Sequence, residues 1–272
     1  MWNQVKTVLL LGALTGLMMV VGGLIGGYDG LLIGLVFALT MNLLTFWFSD
    51  KLVLWMYGAK EVSKSQAPRL HRITESAAKA LGIPKPKVYI IQSSTPNAFA
   101  TGRSPGRAAV AATDGILKLL DDDELLGVMA HECSHVKNRD ILVATIAACI
   151  AGVISYLAAM ARWGSFSSDD DGPNPLALIV IGILTPILAM MLQLAISRSR
   201  EYFADETGAR AIKNPSALAS ALKKLHHGVK SAPWRGNSTA ASLFIVNPFS
   251  LSLFSTHPPM DERVRRLESL QL

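Results

Sequence analysis

Only two of the 272 residues are cysteines, Cys133 and Cys149, and only 17% are Asp, Glu, Lys or Arg. The first scarcity excludes a disulfide framework. On helices the two thiols stand roughly 24 Å apart at 1.5 Å per residue, far beyond bridging reach. Free thiols fit a reducing compartment. The second scarcity is concentrated: no Asp, Glu, Lys, Arg or His occurs in 7–28, 30–49, 141–161 or 172–197. Those runs therefore lack the intramembrane ionisable groups that mark ion and proton pathways, which argues against a transporter. Internal repeats and nucleic-acid-binding motifs are absent too, and the one biased stretch is the short acidic loop "GSFSSDDDGPNP".

What the chain has in plenty is apolar length. Half of it is hydrophobic, with a mean hydropathy of +0.34, too apolar for an ordinary soluble domain. A spanning helix needs about 20 such residues, and each charge-free run supplies them. Trp2, Tyr28, Trp47 and Trp163 stand near the run ends, where rings rest at headgroup level. The expectation is four transmembrane helices. The first run exceeds the ~7–15 residue core of a signal peptide and shows no small-x-small cleavage site, so it reads as a span. Of the 26 basic residues, 13 lie in 51–140 and 11 in 198–272, leaving Lys6 and Arg162. That bias places the N-terminus and both polar segments in the cytoplasm. The chain then divides into a transmembrane hairpin (1–50), a cytosolic catalytic part (51–140), spans three and four (141–197) and a second cytosolic part (198–272). The pI of 9.4 follows from the same bias and suits contact with anionic lipid, with no need of nucleic acid.

Within the polar parts, "APRLHRITESAAKALG" has helical spacing and stops at Gly82. "KVYII" (87–91) reads as a strand. "NAFATG" (97–102) and "AAVAAT" (108–113) flank the turn "RSPG" and read as a hairpin or meander. Asp121 and Glu124 have capping-box spacing, which starts a helix at about 122. Asn138 or Asp140 is placed to cap a new helix at the start of the third run. Asn214 and Pro215 open another helix, and "PPMDERVRRLESL" forms a last amphipathic one. The fold class is a mainly α integral membrane protein with a cytosolic α+β unit containing a small sheet.

The helix that starts at about 122 carries "HECSH". His131 and His135 are four apart, so both rings lie on one helix face and can meet one Zn²⁺. Glu132 points about 100° away from that face, poorly placed as a ligand but within reach of a water beside the ion. That is the chemistry of peptide hydrolysis, with Glu132 as proton carrier. The plain alternative is a helix with two surface histidines. A catalytic zinc takes three protein ligands. Glu201 follows the fourth run by four residues, and His135 precedes the third by six. The short loop between those runs makes them antiparallel neighbours, which brings 135 and 201 together. Asp205 stands one turn beyond Glu201, placed to accept the free N–H of a zinc histidine. Otherwise "EYFADE" is a solvated acidic turn. His257 before two prolines is equally a turn histidine or a site residue, and Arg263 equally a surface arginine.

"HECSH", "EYFAD", "NAFATG" and "HPPMDER", in that order and with four spans, resemble the HtpX-type membrane zinc metalloproteases and the related CAAX-processing prenyl-protein peptidases. The resemblance covers nearly the whole chain. It implies a zincin-like catalytic unit with one Zn²⁺ per chain, held by His131, His135 and Glu201, and Glu132 as general base. It implies that His257 and Arg263 assist the reacting carbonyl or the substrate backbone. It implies an edge strand, Asn97, Ala98, Phe99 and Ala100, on which an extended peptide adds as one more strand. The partners it implies are polypeptides, mainly misfolded or damaged membrane proteins, and the lipid bilayer of the cell inner membrane. A zinc-binding adaptor without catalysis, or a maturation protease for prenylated tails, is the rival reading.

Overall fold

The protein is described by a computed structural model covering residues 2–146, 198–232, 234, 244–246 and 258–272. Most of the third and fourth apolar runs lies outside the described residues, as do Cys149 and His257.

Helix α1 (Trp2–Met56) is bent at Gly26 and Gly27, where the backbone leaves helical values (Gly27 φ 59°, ψ −139°). A positive φ of this kind suits glycine. The chain doubles back there. Asn42 Nδ2 donates to Leu11 O at 3.1 Å and to Thr15 Oγ1 at 2.8 Å. A Cβ on Gly22 or Gly30 would strike the backbone of the other, and one on Gly34 that of Met18. Small residues thus set the closeness of this antiparallel pair, as in membrane helix packing. The turn falls at Gly26–Gly27 rather than at the polar Tyr28-Asp29-Gly30, and Gly30 instead lies against Gly22 where the two halves meet. Among the described residues, Gly26–Leu44 is long and apolar enough to cross a membrane, and Leu11–Val20 is a shorter apolar helix. Ile33 is 70% exposed and Val36 64%.

Four strands follow: β1 (Lys60–Glu61), β2 (Lys87–Ile91), β3 (Ala98–Thr101) and β4 (Ala109–Thr113). Their spatial order is β1-β2-β4-β3. β3 and β4 are antiparallel, with Ala98 opposite Ala112 and Thr101 opposite Ala109. The expected hairpin is therefore present, but the sheet is not a meander: β2 joins β4 in parallel and leaves β3 on the edge. β4 is buried along its whole length, which is why its small apolar run shows no alternation.

Around the sheet lie α2 (Pro68–Leu81), α3 (Asp114–Leu119), α4 (Asp122–Lys137), α5 (Arg198–Ile212), α6 (Pro215–Ser231) and α7 (Met260–Glu268). The expected signals hold. α2 stops at Gly82 in the left-handed region (φ 69°), α4 starts with a complete Asp121–Glu124 capping box, and Asn214 accepts from Ala217 N at the start of α6. β1 and α3 were not anticipated, because two and six residues give no period to read.

The main core joins α2, α4, α6 and α7 to the Ala98/Ala100 face of β3. A second cluster packs Val53 and Leu54 of α1, and Tyr57 just after it, on Phe99. β3 is thus held between the catalytic helix and the end of the helical hairpin. On α4, Leu125, Val128 and Met129 are fully buried. Each side chain contributes roughly 1.5–3 kcal/mol, which offsets the cost of burying polar groups on the same helix.

Candidate metal centre

Two glycine contacts decide where α4 sits. A Cβ on Gly208 of α5 would lie 2.9–3.0 Å from the backbone of Ala130 and His131, and one on Gly127 would press on Leu218 of α6. Their absence lets α5 lie directly against α4 at His131. Glu201, about two turns before Gly208 on α5, then faces both histidines.

His131 Nε2 and His135 Nε2 are 3.1 Å apart. Glu201 Oε2 is 3.6 Å from His131 Nε2, and its Oε1 is 3.5 Å from His135 Nε2. Ligands at about 2.0–2.1 Å from a tetrahedral ion are separated by about 3.3–3.4 Å along each edge, close to these three distances. The three side chains are the one group among the described residues whose donors gather for a metal. Two imidazoles and a carboxylate are the donors a catalytic zinc uses, so the residues fit the ion the sequence implied.

Each histidine has a carboxylate behind it. His131 Nδ1 lies 2.8 Å from Asp205 Oδ1, as the sequence suggested. Asp205 in turn takes two bonds from Arg263, Nε to Oδ2 at 2.8 Å and Nη2 to Oδ1 at 2.7 Å. Burial alone would raise the Asp205 carboxyl; the Arg263 guanidinium and His131 overcome it and hold it below its ordinary value. On the other side, His135 Nδ1 lies 3.1 Å from Asp140 Oδ2. The sequence reading missed that partner. A residue at i+5 does not share a helix face with His135. It returns because α4 ends at Asn138 and Arg139 turns left-handed (φ 57°). The helix break was legible, but not where it aims Asp140. Burial lowers the His135 ring's proton affinity, yet Asp140, Glu201 and Glu132 together push it up to about 10.

Glu132 is 2% exposed, and its Oε1 has no hydrogen-bond partner. Burial pushes its carboxyl up to about 8, against the opposing pull of His135 and of the Ala100 N–H. Cys133 is a free thiol in the main core, pointing away from the histidines as expected.

The Arg263 guanidinium is 1% exposed and bonded to Asp205 and, through Nη1, to Ile245 O at 2.9 Å; the same Nη1 lies 3.8 Å from Glu201 Oε2. Asn97 is likewise engaged. Its Nδ2 donates to Val246 O at 2.7 Å, and its Oδ1 accepts from Ala98 N at 3.1 Å and from Val246 N at 3.4 Å. Thr113 N donates to Asn97 O, so the groups of Ala98 and Ala100 point away from β4. Ile245 N takes the outward carbonyl of Ala98 at 3.1 Å. Phe99 points the other way, into the α1 cluster. Ala100 stands beside Glu132.

Residues 64–271 match the sequence profile of Peptidase family M48. The chain belongs to that family. It is accordingly a metallopeptidase, and His131, His135 and Glu201 form a group that could hold a metal ion. Curated relatives named "Protease HtpX homolog" align over nearly the full length. That of Pyrococcus furiosus is 52% identical, covering 98% of this chain and 96% of its own. That of Desulforapulum autotrophicum is 50% identical, covering 98% and 90%. That of Syntrophobacter fumaroxidans is 50% identical, covering 99% and 100%. The crystal structure of S. mikatae Ste24p shares the fold, with a TM-score of 0.53 at 18% identity. It covers 97% of this chain, while this chain spans about 65% of that one.

Proposed function

We propose that this M48 peptidase is a zinc endopeptidase that cleaves polypeptides at the cytosolic face of the inner membrane, with misfolded or damaged membrane proteins as its main substrates. The observation that carries the reading is the triangle of buried His131 and Glu201 with half-buried His135, and an unpartnered Glu132 oxygen beside it.

Bound by those three residues, one Zn²⁺ per chain supplies Lewis acidity toward the scissile carbonyl and toward water. Glu132 takes the proton of the attacking water and returns it to the departing amine nitrogen. Asp205 and Arg263 hold His131 in the tautomer that leaves Nε2 free to ligate. Arg263 acts through Asp205, and His257 keeps its proposed place at the reacting carbonyl. The substrate adds as a strand to the outer edge of β3 at its Ala100 end, because the outward groups of Ala98 are already taken by Asn97 Oδ1 and Ile245 N. Backbone pairing there tolerates many sequences, as quality control requires. Residues 244–246 bound that edge, and Asn97 sets its geometry by clasping Val246.

The membrane assignment rests on the outward apolar face of Gly26–Leu44 and on the charge-free runs. The four charge-free runs give four spans, and the positive-inside bias places 51–140 and 198–272 in the cytoplasm, against the bilayer. The test is to incubate purified zinc-loaded protein with an unfolded casein-like protein and with a detergent-solubilised membrane protein, beside Glu132→Gln and chelated samples. Both substrates are cleaved by the wild type alone, and Glu132→Gln keeps its zinc. Absence of cleavage by the zinc-loaded wild type refutes the reading.

A further inference from the structure

The two metal histidines are supported from opposite directions. His131 is backed by Asp205 and Arg263, on the helices α5 and α7. His135 is backed by Asp140, which belongs to neither. Asp140 is the residue immediately before the third apolar run, and residues 141–146 continue from it as helix. Its carbonyl accepts from Ala144 N at 3.3 Å, the first bond of that helix.

An aspartate in such a position ordinarily caps, accepting the free N–H groups of the next turn. Asp140 does not. Among the described residues no N–H of that turn donates to its carboxylate. One oxygen, Oδ2, is on His135, and the other, Oδ1, is buried with no hydrogen-bond partner. The residue is 4% exposed. A buried carboxylate that has given up capping is costly unless its charge is used. Arg200, one residue before Glu201, is largely buried and attracted to both Asp140 and Glu201.

We infer that Asp140 is the positioning residue for His135, fixing the ring so that Nε2 faces the metal, and that it does so from the root of the third apolar run. The ring of one ligand, carried on α4, is thereby also fastened to the start of the third apolar run. A shift of that helix root moves Asp140, and with it the ring of His135. The inference rests on reading His131, His135 and Glu201 as the metal ligands.

The test uses the full-length protein and Zn²⁺ alone, titrated against a chelator, with cleavage left aside. Asp140→Ser keeps a residue that caps as well as aspartate but is too short to reach the ring. Its zinc affinity is expected to fall about 10–100-fold, with the melting temperature of the metal-free protein unchanged. Asp140→Asn keeps the shape and loses the charge; it is expected to fall by less, and to shift the visible spectrum of the Co²⁺-loaded protein. Asp140→Glu, charged on a longer arm, is expected to recover part of the loss. Wild-type affinity and spectrum in both the Ser and Asn variants overturn the inference while leaving the ligand assignment standing. Wild-type affinity in His135→Ala overturns the ligand assignment, and the inference with it.

Discussion

Helices α1 and α4 are built on opposite plans. α1 turns its large apolar side chains outward and packs its two halves through glycines and a single asparagine. α4 is buried on nearly every side and carries its histidines and glutamate inward. A helix facing lipid has nothing to gain from an apolar core and associates through close backbone approach. A helix facing protein can bury charge, but only where every charge has a partner. The partners of the two histidines come from outside α4: Glu201 and Asp205 from α5, with Arg263 of α7 behind Asp205, and Asp140 from just past the helix break.

The comparison can be broken first at α4. Glu132→Gln removes the proton carrier and leaves the triangle intact. Hydrolysis should fall by about 10²–10⁴-fold, measured as kcat/KM on an unfolded protein substrate, with unchanged zinc content. Arg263→Met tests the rule that buried charges need partners. Stranding Asp205 should cost about 3–5 kcal/mol, measured by chemical denaturation of the detergent-solubilised protein. A conservative change on the surface of α7 should cost far less. For α1 the sharpest intervention is Val36→Asp on its exposed face. If that face meets lipid, the change costs about 2.5–3.5 kcal/mol of insertion, visible as protein released by alkaline extraction of membranes. If the face meets water, extraction is unaltered. The smallest effect belongs to the shared grammar of helices. Asp121→Ala breaks the capping box and should cost about 1 kcal/mol, detectable as a lower denaturation midpoint.

A pH effect sharpens the same contrast. Glu124 is buried, which by itself raises its carboxyl, but bonds from Lys224 and Ser220 hold it below its ordinary value. A carboxylate depressed in the folded state contributes stability above its unfolded pKa of about 4.3. That contribution disappears as pH falls through the folded value. Wild type and Glu124→Gln should therefore differ in melting temperature at pH 7 and converge in strong acid.

Much of this was legible in the residues because it is local. The capping box, the glycine stop after α2, the proline start of α6 and the four-residue spacing of the histidines are all short-range signals. Glu201 was reached by one topological step, the short loop between the third and fourth runs. What the sequence did not disclose depends on backbone that bends out of register. Asp140 reaches His135 only through the left-handed turn at Arg139. Nothing local reveals that Asn97 and Arg263 reach the distant backbone of Val246 and Ile245. The order of the sheet, with β2 parallel to β4, was hidden because the strands are too short for their pairing to be read from alternation.

The most direct test is the zinc stoichiometry of the purified full-length protein, compared with His131→Ala, His135→Ala and Glu201→Gln. The account requires one ion per wild-type chain and its loss from each variant, with the fold retained. A wild type that binds no zinc after metal loading, or three variants that hold it as firmly as the wild type, would contradict it.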